Sequence, residues 1–228
     1  MIIIYDMEFS TGARETIEVS FDEASLTLDR AIPKPAPAWT KLEFCQCKNC
    51  PVNLGSDQSC PLAVQLVPIA AQFGHTPSYE NVILHVIAEA RTTSARTTAQ
   101  VALASLMGLI MPLSGCPVMA PLAPMARFHL PLSTQDETIY RVASMYLLSE
   151  FFSGNLSNNT VSELSGLNQL YAGIQQVNQG ISNRLRNSGA FAELNSIAIL
   201  DIYAQVMPIV IEDALDELRP LFTRGSSQ

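Results

Sequence analysis

The cysteines constrain this chain more than any other feature of its sequence. Four of the five lie between residues 45 and 60, and the fifth is Cys116. Cys47 and Cys50 form a Cys-x-x-Cys pair, a spacing that brings two sulfurs to one side of the backbone, as a tetrahedral metal ion requires. We therefore predict a closed four-thiolate metal site around which the chain folds. Its ligands are Cys47, Cys50, Cys60 and Cys116.

Two reserve ligands and two metals stay open at this point. Cys45 lies two residues before Cys47 and would point to the same face of an extended segment, so it could replace Cys60, and His129 is a further reserve. Zinc and a 4Fe-4S cluster both accept four thiolates. The compact ferredoxin-type cysteine run is absent, and the long gaps before Cys60 and Cys116 favour a zinc ion that staples separate elements. Reduced, buried thiols and disulfides are the alternatives without a metal.

Composition limits the classes of partner. The net charge is −8 and there is no basic run, which argues against a nucleic-acid surface. Only 15% of the residues are charged, well below the usual quarter, so we expect a homo-oligomer or a protein partner to cover part of the surface. The longest apolar stretch, residues 101–113, is shorter than the roughly 20 residues that a membrane span needs. A cytoplasmic protein without a membrane span is expected.

The pattern of apolar residues predicts an α+β fold. Antiparallel strands at the N-terminus are followed by a helical bundle that ends in a long C-terminal helical hairpin. The strands are predicted over residues 2–9, 16–21, 25–28, 42–44 and 82–88. A strand-rich lobe with the cysteine stretch (1–90) and a helical lobe (91–228) would form one cooperative unit.

The helices are marked by apolar periodicity and by their end signals. They are predicted over residues 62–73, 101–111, 161–187 and 190–218, and a further helix is predicted to open at Thr134 and to precede a polar loop at residues 154–160. Capping boxes, in which a Thr at the N-cap is followed three residues later by Gln or Glu, are predicted at Thr97 with Gln100 and at Thr134 with Glu137. Residues 91–98 are predicted as the turn that precedes the apolar helix.

The helix over residues 161–187 carries two stripes. One is an apolar seam of the coiled-coil type, with Asn178 as a polar member: Leu164, Leu167, Tyr171, Ile174, Asn178, Ile181 and Leu185. The other is the glycine row, Gly166, Gly173 and Gly180, spaced by seven residues. Each interior glycine costs about 1 kcal/mol relative to alanine, so we expect another backbone to approach the row closely. The final helix or another copy of the chain would supply it.

The cysteine motifs also support a resemblance. Cys47-x-x-Cys50-Pro51, Cys60-Pro61-Leu62 and Ser114-Gly115-Cys116-Pro117 are followed by Met125-Ala126-Arg127-Phe128-His129-Leu130-Pro131. Together they resemble a family of uncharacterised bacterial proteins, and the likeness covers most of the chain after the N-terminal strands. The resemblance implies a bacterial origin and a domain that spans the chain, and it implies no activity.

The sequence contains no motif of a known catalytic or nucleotide-binding site, and no catalytic residue is predicted. Asp201, in the apolar final helix, is expected to face Arg184 or Arg186 across the hairpin. The function predicted is a non-enzymatic, metal-stapled interaction or scaffold protein that self-associates. The alternative is an iron–sulfur redox or sensor protein that uses the same cysteines.

Overall fold

The structure, a computed structural model, describes residues 1–29, 35–52, 58–154, 165–188, 218 and 220–222. Its strands and longer helices are β1 (Ile2–Phe9), β2 (Arg14–Asp22), β3 (Thr27–Leu28), α1 (Pro61–Phe73), β4 (Asn81–Ala88), β5 (Arg91–Thr98), α2 (Ala99–Ile110), α3 (Pro124–Arg127), α4 (Gln135–Phe152) and α5 (Ser165–Ser188). Short 3-10 helices occupy Ala38–Thr40 and Ala120–Leu122.

The five strands form one antiparallel sheet in the order β3-β2-β1-β4-β5. β1 is central because it pairs along its length with both β2 and β4. Alternate residues of β1 and β2, such as Tyr5 and Val19, point into a core that α1 and α2 also share. The predicted α+β class, with antiparallel N-terminal strands followed by helices, is confirmed.

Two local predictions on the N-terminal side of α2 are wrong. Residues 91–98 are not a turn, because β5 pairs with β4 along its whole length. Its residues are polar apart from Ala95, and each is exposed or half-buried, so the apolar alternation that reveals most strands is missing. Thr97 pairs with Val82 and therefore cannot cap a helix, and Thr98 precedes α2 without a side-chain capping bond.

The capping box at Thr134 is confirmed. The Thr134 hydroxyl accepts a hydrogen bond from the Glu137 backbone N–H at 3.3 Å, and the Glu137 carboxylate accepts one from the Thr134 N–H at 2.7 Å. This box opens α4. By contrast, residues 42–44 form a turn instead of the predicted strand, and the neighbouring Lys41 forms an isolated bridge with Ser59.

The seam of α5 belongs to the main core. Its described members, from Leu167 to Leu185, are buried, and the apolar ones pack in the same cluster as the sheet and α2. Leu164 and residues 190–217 of the predicted final helix, with Asp201, lie outside the described residues. No described helix combines the length and the hydropathy that a membrane crossing requires.

One carboxylate of the sheet is buried. Asp6, in the middle of β1, is 4% exposed and forms an ion pair with Arg14 of β2, and Thr16 donates a further hydrogen bond at 3.3 Å. The hydrogen bond from the Arg14 guanidinium holds the pKa of Asp6 below its usual value. Ionised Asp6 is therefore the form that the folded state prefers.

We expect the Asp6 pair to make stability dependent on acid. Because the folded-state pKa is depressed, its contribution is fully present above the unfolded pKa of about 4 and is lost as pH falls through the lower folded value. Urea unfolding between pH 7 and pH 3 should show a smaller acid loss for Asp6→Asn than for the wild type. Glu18→Gln, an exposed change on β2, is the control. Equal acid loss in the wild type and Asp6→Asn would contradict this role.

Candidate metal centre

A buried arginine holds the chain that leads into the cysteine stretch, which we define as residues 44–60. Arg184 of α5 is 1% exposed. Its Nη1 donates to the carbonyl oxygens of Trp39 at 2.8 Å and Lys41 at 2.6 Å, and its Nη2 donates to that of Leu42 at 2.8 Å. Hydrogen bonds from a charged donor contribute about 1.5–3 kcal/mol each. The guanidinium therefore clamps residues 39–42 onto α5.

The same segment fixes the far end of the cysteine stretch. The Leu42 N–H donates to the Gln58 carbonyl and the Cys60 N–H donates to the Thr40 carbonyl, each at 2.8 Å. Cys60 is buried and is the residue immediately before α1, whose first residue is Pro61. The stretch is thus a closed loop with both ends beside Arg184.

The loop and one residue of α4 pack against the glycine row. A Cβ added at Gly180 would lie 2.5 Å from the Cys47 sulfur, and one at Gly173 would lie 3.4 Å from the Asn49 amide nitrogen. That amide also donates to the Gly173 carbonyl at 3.0 Å. Gly166 faces the hydroxyl of Tyr146 on α4. The expectation that this row faces the final helix or another copy is therefore corrected, because elements of the same fold occupy its surface.

Cys116 approaches from a third segment. Gly115 has a φ of +82°, a left-handed conformation that glycine adopts without strain, and a Cβ there would lie 3.8 Å from the Cβ of Pro61. The turn that carries Cys116 thus lies beside the start of α1, next to Cys60. Two residues later, Val118 lies 3.4 Å from the Cβ position of Gly173.

The thiols of these segments interact with one another. Burial raises the pKa of Cys47 to about 12, and the neighbouring thiols of Cys60, Cys116 and Cys50 act in the same direction, whereas Arg184 acts in the opposite one. Burial also raises the pKa of Cys116, against hydrogen bonds from the backbone N–H groups of Met119 and Val118. The four predicted ligands therefore occupy one neighbourhood.

Proximity alone does not make a coordination sphere. Within the described part of the chain, no three His, Cys, Asp or Glu side chains are already arranged as ligands of a metal ion. The structure brings the four cysteines near one another as free thiols. Coordination by these four sulfurs stays a prediction.

The two reserve ligands have other partners. Cys45 has a φ of +54°, and its sulfur accepts a hydrogen bond from the Asn187 amide at 3.4 Å, near the end of α5. His129 Nε2 lies 2.5 Å from the hydroxyl of Tyr5, on the central strand. Burial of the ring lowers the pKa of His129 to about 3, so the imidazole is neutral at ordinary pH.

Sequence reasoning missed Arg184 as a part of the site. The sequence predicts only that Arg184 or Arg186 faces Asp201, which lies outside the described residues, whereas two of the Arg184 nitrogens bond the carbonyl groups of Trp39, Lys41 and Leu42. A single cation near the end of a long helix carries no signal of that role. The glycine row did carry a signal, because its seven-residue spacing predicted a close approach and only the approaching segment was assigned wrongly.

The glycine contacts predict opposite effects at two positions. Gly173→Ala should be neutral or slightly stabilising, because its Cβ fits at 3.4 Å and alanine favours the helix by about 1 kcal/mol. Gly180→Ala should destabilise, because the Cβ would overlap the Cys47 sulfur. Free energies of unfolding from urea titration check both values.

A double-mutant cycle identifies the contact. Removing the sulfur with Cys47→Ala should relieve the overlap, so Gly180→Ala should cost less in that background than in the wild type. Additive effects of Gly180→Ala and Cys47→Ala would show that the two residues do not meet. Gly173→Ala combined with Cys47→Ala is the additive control.

Comparison with known proteins gives a family and no activity. No curated protein and no solved structure matches the chain. A family model described as a domain of unknown function, DUF6901, matches residues 3–223, which is nearly the whole sequence. The chain therefore belongs to the DUF6901 family of proteins.

Proposed function

We propose that this protein is a metal-stapled interaction or scaffold protein, in which Cys47, Cys50, Cys60 and Cys116 hold one zinc ion. The observation that carries the proposal is the meeting of three separate segments at α5 and the start of α1. Cys47 lies on Gly180, Val118 lies on Gly173 beside Asn49, and Gly115 lies on Pro61. Cysteines that are distant in sequence are thereby neighbours in space.

The surroundings of the thiols suit a thiolate site. Zinc bound by four thiolates carries a net charge of −2, and the buried cation of Arg184 lies close enough to lower the pKa of Cys47. Backbone N–H groups at the Cys116 sulfur favour its thiolate form. Because the protonated thiols must lose their protons to bind the ion, zinc affinity should rise with pH.

The role proposed for the ion is structural. The Cys47 to Cys60 loop contains no helix or strand among its described residues, so a shared ion would add a link that secondary structure does not supply. A closed four-cysteine site contributes folding free energy directly and leaves no open position for a substrate. The ion would join this loop to α1 and to the turn at Cys116.

An exposed apolar surface supports the interaction part of the proposal. Leu148, Phe151 and Phe152, near the end of α4, are 55%, 61% and 81% exposed. Large apolar side chains grouped in this way are typical of a surface that contacts another protein. The low content of charged residues agrees with an association between copies of this chain.

Iron–sulfur chemistry is the second candidate, and one observation favours it. The backbone N–H groups of Met119 and Val118 lower the pKa of Cys116, and contacts of this kind between N–H groups and sulfur tune the reduction potential of such clusters. The protein would then be a redox or sensor protein.

One experiment separates these possibilities. Protein purified without oxygen is passed through size-exclusion chromatography with light scattering, and the metal content of the peak is measured. We expect a colourless dimer or larger assembly with one zinc per chain. Cys47→Ser and Cys116→Ser should lose the zinc, and Cys45→Ser should keep it. A brown protein containing iron would favour the second candidate.

Three results would contradict the proposal. Metal-free wild-type protein whose stability is unchanged by added zinc would exclude the staple. A monomer at micromolar concentration would exclude self-association. Equal loss of metal from Cys45→Ser and Cys47→Ser would show that the proposed set of four ligands is wrong.

A further inference from the structure

A second site candidate lies apart from the cysteines. A cavity of about 440 Å³ lies between α2, residues 119–133 and α5. Its volume is within the range of small-molecule sites, about 300–1,000 Å³. Met111, Met119 and Met125 line it. Methionine side chains are flexible and polarisable, so they form an apolar surface that adapts to a ligand.

One polar atom of the cavity wall is unsatisfied. Asn178 of α5 is 1% exposed, and its Oδ1 has no hydrogen-bond partner among the residues that the structure describes. A buried polar group without a partner costs about 1–3 kcal/mol, so an asparagine in this apolar seam requires an explanation. A ligand hydroxyl or N–H in the cavity would donate the missing hydrogen bond.

The charge of the lining is one-sided. Arg141 of α4 and Arg96 of β5 line the cavity, and no aspartate or glutamate is among the described residues that line it. Arg141 is held in place because its Nη2 donates to the carbonyl oxygens of Phe128 at 2.8 Å and Met125 at 3.2 Å. Burial lowers the pKa of Arg141, and the charge of nearby Glu137 acts in the opposite direction.

We propose that this cavity binds a small, mostly apolar carboxylic acid that also carries a hydroxyl or N–H group. The carboxylate pairs with Arg141, the apolar body lies against the three methionines, and the donor group bonds Asn178 Oδ1. Charge complementarity selects an acid over a neutral or cationic molecule. This site goes beyond the proposed metal staple and does not depend on it.

The probes are decanoate, a series of hydroxydecanoates with the hydroxyl at different carbons, and decanol. Binding is measured by calorimetry and by the shift in melting temperature of the full chain. We expect decanoate to bind the wild type more tightly than decanol, and one hydroxydecanoate to bind more tightly than decanoate. Arg141→Gln should weaken decanoate binding about tenfold or more, and a tenfold change corresponds to about 1.4 kcal/mol. The affinity for decanol should stay unchanged.

Matched variants separate binding from folding. Arg127→Gln is the control for Arg141→Gln, because Arg127 is exposed and pairs with Glu23 at 2.7 Å, outside this cavity. Asn178→Leu removes the unsatisfied oxygen at similar volume. It should keep or raise the melting temperature of the free protein while it abolishes the preference for the hydroxydecanoate.

Any one of four results would overturn the proposal. No shift for any probe at millimolar concentration would exclude a site for this class of acid, and equal affinities for decanoate and decanol would exclude the carboxylate pairing. A lower melting temperature of free Asn178→Leu would show that the Asn178 amide is satisfied within the fold. If Arg141→Gln does not fold, Arg141→Lys should retain decanoate binding, and loss of that binding would contradict the role of the charge.

Discussion

The arrangement of the cysteine stretch depends on one buried guanidinium. A cation out of contact with water is strongly unfavourable unless polar groups surround it. Among the described residues, the partners of the Arg184 guanidinium are three backbone carbonyl groups, at Trp39, Lys41 and Leu42, and its Nε has no partner there. Carbonyl groups are fixed to the backbone, so the cost of burying the charge is offset only while residues 39–42 keep one conformation. Burial of the Arg184 charge therefore fixes the position of residues 39–42, which lead into the cysteine stretch.

The glycine row explains how that loop reaches the helix. Three interior glycines weaken α5 by roughly 3 kcal/mol relative to alanine, and the helix is retained because its core face is buried. Gly180 and Gly173 leave the space that Cys47 and Asn49 occupy. The turn around Cys116 meets the same helix at Gly173, so α5 is the surface on which the cysteine-bearing segments come together. Asn178, at the cavity, lies on this helix as well.

The sequence predicted the features that follow from local chemistry. The bounds of β1, the capping box at Thr134 and the buried helix α2 depend on alternation, capping and hydropathy, which can be read from the residues alone. β5 was missed because an edge strand with outward polar residues lacks that alternation. The bonds of Arg184 were missed because they join residues more than a hundred positions apart. The cavity was missed because it arises from imperfect packing. Spacing predicts that four cysteines form one site, but it cannot give sulfur-to-sulfur geometry, and coordination by these cysteines stays a prediction.

The central claim is that Arg184 positions the cysteine stretch, and hydrogen exchange of single amides tests it most directly. The Leu42 and Cys60 amides close the loop through Gln58 and Thr40, whereas the β1 amides report on the sheet. In Arg184→Met, which keeps the apolar stem and removes the donors, we predict faster exchange at Leu42 and Cys60 and unchanged exchange in β1. Unchanged protection at Leu42 and Cys60 would contradict the account, because the loop would then hold its position without the guanidinium.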